Sequence, residues 1–342
     1  MTESAAEKNN TQEHRLSVVL PMYNEEENIQ PMLLQMHEAM ADYGHPWEIL
    51  LVNDGSSDQT LQRMESEAAS YGSHVRIIDL QRNFGQTAAM QAGIDAARGD
   101  VIVTMDGDLQ NDPKDIVRLV KRLQDENLDM VAGWRKDRKD DLVLRKIPSL
   151  IANRLIRRLT GVLLHDYGCS LKVYRASIIK DVRLYGEMHR FIPAWVATRT
   201  TAQRIKEEVV THHPRRYGTS KYGISRTFRV ILDLLAVYFF MRYRTRPGHF
   251  FGSIGLWFGT LGGLILGYLL FLKIFFGEAI GGRPLLLVGI LFAVFSVQFL
   301  TTGVLSESIS RTYYESSNQK SYAIRNHAAL RLDDDKGWKR LG

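Results

Sequence analysis

Two aspartates one residue apart close an apolar run in Val103-Thr104-Met105-Asp106-Gly107-Asp108-Leu109-Gln110. Acid pairs in turns often serve only as caps. At the end of a buried strand, however, two close carboxylates suit a hard divalent cation, and Mg²⁺ commonly combines one or two carboxylates with substrate phosphates. Gly107 is expected to let the backbone turn tightly between the two acids. Three more polar clusters precede this one: Pro21-Met22-Tyr23-Asn24-Glu25, Asn53-Asp54-Gly55-Ser56-Ser57-Asp58 and Arg82-Asn83-Phe84-Gly85-Gln86. Asp58 reads as the cap of a helix starting near Gln59, which leaves Asp54 free to accept a hydrogen bond from a base N–H. Tyr23 offers a face on which a base can stack, and Glu25 suits ribose hydroxyls.

These clusters need a frame that brings them together. Apolar runs of strand length at 16–20, 48–52, 75–80, 101–105 and 130–132 alternate with helix-like stretches at 26–40, 60–69, 87–97 and 113–123. Such βαβα order implies a mainly parallel sheet with helices on both faces. Ligands of such sheets bind at the C-terminal ends of the strands, where all four clusters fall.

The rest of the chain reads differently. Residues 250–276 carry one charge, Lys273, and 285–305 carry none, so each exceeds the roughly 20 apolar residues that cross a bilayer. Two core helices would rarely stay apolar on every face for this length, and a transmembrane hairpin is expected. Arg242, Arg244 and Arg246 precede it, and Arg311, Lys320 and Arg325 follow it. By the positive-inside rule both ends face the cytoplasm. Residues 144–160 and 225–246 mix apolar positions with arginines and read as amphipathic segments for the membrane interface. Residues 1–14 are polar and read as a flexible tail rather than a signal peptide. The single cysteine, Cys169, excludes an internal disulfide and agrees with a reducing compartment. The net charge of +6 is concentrated in 135–158 and 215–246, which favours an anionic partner. Nucleic acid is the weaker candidate, because the basic stretches flank the apolar spans and no nucleic-acid motif is present.

Taken in order, the four loop motifs resemble the signature of glycosyltransferase family 2. More narrowly, residues 15–325 are similar to the polyprenyl-phosphate glycosyltransferases, the group of dolichol-phosphate mannose synthase and the bacterial undecaprenyl-phosphate sugar transferases. The resemblance implies a Rossmann-like GT-A catalytic domain at 15–221, including an interface helix at about 144–160. A juxtamembrane helix at 222–247, a hairpin at 248–306 and a cytoplasmic tail at 307–342 follow. It implies a nucleotide-sugar donor, a UDP-sugar by analogy with bacterial relatives, a polyprenyl phosphate acceptor, Mg²⁺ or Mn²⁺, and inversion at the anomeric carbon. By motif, Pro21, Tyr23, Glu25, Asp54 and Asp106 match nucleotide-binding positions, and Asp106, Asp108 and Gln110 match metal positions. Arg135, Arg145, Ser149, Arg216 and Lys221 match phosphate-handling positions. Asp108 and Arg135 are the implied catalytic groups, with Asp166 of His165-Asp166-Tyr167-Gly168-Cys169-Ser170 as the remaining acid, either a base or a group that orients a substrate hydroxyl or an arginine. Some relatives have an aspartate after that glycine, where this chain has Cys169, and the Asp-Tyr-Gly-Cys variant looks closer to the aminoarabinose-loading branch without identifying the sugar.

The expected setting is the bacterial inner membrane, in cell-envelope glycan or lipopolysaccharide modification, with homo-oligomers possible through the hairpin. A processive polysaccharide synthase shares the fold, but no Gln-x-x-Arg-Trp motif is present and two spans are too few for a channel. A non-catalytic membrane scaffold would not need the intact acids. His165, His189, His212 and His213 match no zinc spacing.

Overall fold

The computed structural model describes residues 14–136, 156–157, 161–184, 186–214, 239, 243 and 247–316. The chain divides into two compact units, Met1–Leu234 with Lys320–Gly342, and Leu235–Gln319.

The first unit is built on β1 (Leu16–Met22), β2 (Trp47–Asn53), β3 (Val75–Asp79), β4 (Val101–Thr104), β5 (Met130–Trp134), β6 (Lys172–Arg175) and β7 (Ile205–Val209). Between the first five lie α1 (Ile29–Ala39), α2 (Thr60–Tyr71), α3 (Gln86–Ala96) and α4 (Lys114–Asp125). Two short helices, α5 (Ala176–Ile179) and α6 (Ile192–Val196), come later, with 3₁₀ turns at Met188–Phe191 and Ala202–Arg204. The sheet order is β3-β2-β1-β4-β6-β5-β7. All pairings are parallel except those of β6, which runs against both β4 and β5.

Strand direction determines which residues meet. β6 enters the sheet at the edge where β1, β2, β3 and β4 leave it, so the residues just before it join their C-terminal loops. Because β4 ends at Thr104, opposite Val19, the backbone of Pro21 faces no β4 partner and its missing N–H costs nothing.

One face of the sheet carries α1 and α4. Ile29, Met32, Leu33 and Met36 of α1 and Ile116, Leu119, Val120 and Leu123 of α4 recur at helical spacing, and they pack on Leu16, Val18, Leu20, Val101 and Val103. The other face carries α3, which is buried nearly all round and made of small residues such as Ala88, Ala89, Ala92 and Gly93. They let the helix lie close to the sheet. A Cβ on Gly93 would sit 2.2 Å from Val19 Cγ1.

The second unit is two long apolar helices, α7 (Pro247–Phe276) and α8 (Pro284–Ser316). Within them, Gly248–Phe276 and Pro284–Ser306 are long and apolar enough to cross a membrane. Glycines set their contact: a Cβ on Gly255, Gly259 or Gly262 would lie 3.0 Å or less from α8 atoms, and one on Gly289 would lie 2.9 Å from Leu266. Phe258 packs among Phe292, Phe295 and Phe299. Large apolar side chains such as Leu256, Trp257, Phe275 and Leu287 are exposed.

The expected segments at 1–14, 222–247 and the tail beyond Ser316 fall almost wholly outside the described residues. So does the 144–160 helix, except for a buried Ile156 and its neighbour Arg157.

Gly93→Val should lower stability by about 1–3 kcal/mol, because α3 cannot move off Val19 without opening the sheet face. Thermal unfolding of the detergent-solubilised protein measures it; an unchanged midpoint would mean that α3 is not fixed against β1.

Candidate active site

The four loops form one edge through hydrogen bonds between them. The Asn24 backbone lies in the left-handed region, with φ 52°. Its N–H donates to Ser56 Oγ at 3.0 Å, and its side-chain oxygen accepts from the Ser57 N–H at 2.9 Å. The Glu25 N–H donates to Thr60 Oγ1, and the Asp54 N–H donates to the Met22 carbonyl. Tyr23 is 38% exposed. Glu25 accepts from the Asn28 amide. Asp58 was expected to cap α2, but the N-cap is Gln59; Asp58 stands one residue earlier and accepts from the Thr60 N–H and hydroxyl.

Asp54 is not free. Its two oxygens accept from the Phe84 N–H at 2.8 Å and the Gly85 N–H at 3.0 Å, and burial raises its pKa against those hydrogen bonds. The carboxylate holds the third loop to the second. Gly55 lies beneath the same junction, where a Cβ would meet the Arg82 backbone carbon at 2.3 Å. Arg82 in turn lies over the Phe84 ring, 4.4 Å from its centroid.

The acid pair follows β4. Asp106 Oδ1 accepts from Gln86 Nε2 at 2.6 Å, and the Asp106 N–H points to Ser170 Oγ at 3.3 Å. The same hydroxyl accepts from Asn111 Nδ2 at 2.8 Å, so Ser170 bridges both ends of the acid loop. Asp108 is 8% exposed and accepts the Gln110 N–H at 3.2 Å. The need for Gly107 differs from the one expected: the left-handed residue is Leu109, at φ 61°, whereas a Cβ on Gly107 would fall 1.8 Å from Met22 Sδ. Close packing rather than turning freedom demands the glycine. Burial, then repulsion from Asp108, pushes the Asp106 carboxyl up to about 6, against Ser170, Lys172 and Arg135.

Among the described residues no three or more His, Cys, Asp or Glu side chains cluster as a metal site. What is present is two mutually repelling carboxylates beside Gln110. That set fits a hard cation whose remaining ligands are diphosphate oxygens and water. Zinc has no comparable support: His165 pairs with Glu207, His189 with Thr87 Oγ1, and His213 with Asp112.

Asp166 is tied to Arg135, accepting from Nε at 2.7 Å and Nη2 at 3.0 Å. Burial alone would raise its pKa, but Arg135 outweighs burial and holds the carboxyl below its ordinary range. A carboxylate so stabilised is a poor base, and the geometry favours the arginine-orienting alternative. Cys169 is buried, its pKa pushed up to about 11 chiefly by burial, so it is an inert thiol rather than a substitute acid.

Three residues with no role assigned from sequence join this centre: Gln86, Ser170 and Lys172. Lys172 is 2% exposed and donates to the Cys169 carbonyl. A lysine inside the apolar run Leu171-Lys172-Val173-Tyr174 was the available signal. Arg145, Ser149, Arg216 and Lys221 lie outside the described residues.

With Asp106 at about 6, a proton competes with the metal below that pH, and Mn²⁺ affinity should fall about tenfold per pH unit. Titrating Mn²⁺ between pH 8 and 5 tests this; a flat profile would exclude Asp106 as a ligand.

Glycosyl transferase family 2 matches residues 17–183. The dodecaprenyl-phosphate galacturonate synthase of Rhizobium johnstonii is 60% identical over 310 residues, 91% of this chain and 92% of that one. The undecaprenyl-phosphate 4-deoxy-4-formamido-L-arabinose transferase of Klebsiella pneumoniae is 37% identical over 311 residues, again 91% and 92%. Among solved structures, glucosyl-3-phosphoglycerate synthase of Mycobacterium tuberculosis, in complex with Mn²⁺ and uridine-diphosphate-glucose, shares the fold of the first unit. Its TM-score is 0.51 at 19% identity, over 66% of this chain and 79% of that one. The chain therefore belongs to glycosyltransferase family 2, as a glycosyltransferase of the kind represented by the polyprenyl-phosphate sugar transferases.

Proposed function

We propose that this protein moves one galacturonosyl group from UDP-galacturonate to a polyprenyl phosphate, with inversion, at the cytoplasmic face of a bacterial inner membrane. The observation that carries the reaction is the Asp106–Asp108 pair, held partly buried at the sheet edge by Gln86 and Ser170. The sugar rests on the 60% identity to a galacturonate synthase, against 37% to the arabinose transferases. A role in cell-envelope or lipopolysaccharide modification follows from that reading.

Charge dictates the mechanism. A lipid monophosphate has a second pKa of about 6, so its oxygen is already largely anionic and needs little help from a base. It attacks the anomeric carbon opposite the diphosphate; the new C–O bond forms as the bond to the nucleotide breaks, and the electron pair leaves with the diphosphate. A divalent cation held by Asp106, Asp108 and Gln110 supplies charge neutralisation of that leaving group. Tyr23 stacks on the base, Glu25 and Pro21 border the ribose, and Asp54 orders the loop at Phe84 and Gly85. Arg135, aimed by Asp166, receives the acceptor phosphate with Arg145, Ser149, Arg216 and Lys221, so that positioning rather than proton transfer supplies most of the catalysis.

Purified protein with polyprenyl phosphate, Mn²⁺ and a panel of UDP-galacturonate, UDP-glucuronate, UDP-glucose and the UDP-formamidoarabinose donor should give a lipid-linked uronate from the first only, by mass spectrometry. Asp108→Ala should lower turnover at least about 100-fold. A neutral sugar on the lipid would overturn the donor, and an active Asp108→Ala would overturn the metal role.

Orientation is tested separately, with a membrane-impermeant thiol reagent applied from outside the inner membrane. It should label a Gly281→Cys variant and spare Lys320→Cys; the reverse pattern would invert the topology.

A further inference from the structure

β7 carries three charged residues in a row, Lys206, Glu207 and Glu208, and its two acids face opposite sides of the sheet. Glu208 is taken by Arg118 and Arg122 of α4. Glu207 lies in register with Ala132 of β5, so it shares a face with Trp134, two residues further along that strand. Both reach the same residue, His165. The Glu207 carboxylate accepts from the His165 backbone N–H at 2.7 Å and from Nδ1 of its ring. The Trp134 indole stacks on that ring, with centroids 4.4 Å apart and planes 16° from parallel.

The next residue in each segment belongs to the site. Arg135 follows Trp134, Asp166 follows His165, and these two form the two-pronged ion pair. The segments are therefore joined at successive positions, by a stack at 134 and 165 and by charge at 135 and 166. Glu207 adds a hold on the same turn from the neighbouring strand. That strand is itself fixed from the other face, where Arg122 donates to the Glu207 carbonyl at 2.8 Å. A two-pronged pair ties the plane of the guanidinium to that of the carboxylate, so a tilt of the His165–Asp166 turn is copied by Arg135.

Resting on the reading that Arg135 receives the acceptor phosphate, we propose that Glu207, acting through His165 and Asp166, sets the aim of Arg135 and with it the affinity of the site for the polyprenyl phosphate. Glu207 is a positioning residue. β5 and β6 lie between its strand and β4, which carries the acid pair, so its effect falls on the acceptor and not on the metal or the nucleotide.

Steady-state kinetics of the full-length protein in detergent, with polyprenyl phosphate, Mn²⁺ and the UDP-sugar that yields lipid product, separate the two. Glu207→Ala should raise KM for polyprenyl phosphate roughly tenfold, within the loss that a misplacement near 1 Å can produce. KM for the UDP-sugar and the Mn²⁺ requirement should not change. Glu207→Gln keeps one accepting oxygen for the His165 N–H; it should give a smaller rise, and it serves if the alanine variant does not fold. In an Arg135→Gln background Glu207→Ala should change nothing further, because the group it aims is gone. A rise in both KM values together, or the same rise with and without Arg135, would mean that Glu207 only stabilises the sheet edge. An unchanged KM for polyprenyl phosphate would mean that the turn holds its angle without Glu207. Each of these results overturns the proposal. An Arg135→Gln variant with the wild-type KM for polyprenyl phosphate would instead refute the reading of Arg135 on which it rests.

Discussion

Two like charges side by side at the end of a buried strand are the constraint that the first unit satisfies. Left alone, Asp106 and Asp108 would repel each other in a medium too apolar to screen them, and one would hold a proton at neutral pH. The surroundings offset this in three ways. Gln86 donates to Asp106, Ser170 receives its N–H, and Lys172 and Arg135 place positive charge within reach. Even so, burial and Asp108 keep the Asp106 carboxyl raised, at about 6. The remaining deficit is what a divalent cation and its diphosphate would fill.

Holding that deficit open requires rigidity at the sheet edge. Asn24 joins the first loop to the second, Asp54 joins the second to the third, and Gln86 joins the third to the acid loop. Gly55 lets two backbones meet at a distance that any side chain would prevent, and Gly107 leaves room for the Met22 side chain. Residues far apart in the chain thereby share one small volume, and strain at Leu109 is tolerated because neighbours on both sides fix the turn.

Much of this was legible in the sequence. β1 to β5 and α1 to α4 showed their periods, and their alternation gave the parallel order. β6 and β7 did not show: Lys172 interrupts the first and Lys206, Glu207 and Glu208 the second, so neither has the pattern of a strand. With β6 unseen, Ser170 and Lys172 had no address. The motif around Asp54 drew attention to that carboxylate, but an isolated sequence cannot tell one that meets a ligand from one that holds a neighbouring loop, as Asp54 does at Phe84 and Gly85. At Gly107 the residue type was informative and the reason inferred for it was wrong, because the close packing is between the acid loop and the Met22 side chain at the end of β1, far away in sequence.

The antiparallel course of β6 also bears on how the protein is made. A parallel strand could have followed its neighbours in the usual repeating order, but β6 and β7 are the last strands to be synthesised, and β7 ends at Val209, before α7 begins at Pro247. Every strand of the sheet among the described residues has thus been translated before the first apolar helix begins. Chain order therefore allows the acid loop to be closed from both sides before either long apolar helix has been made.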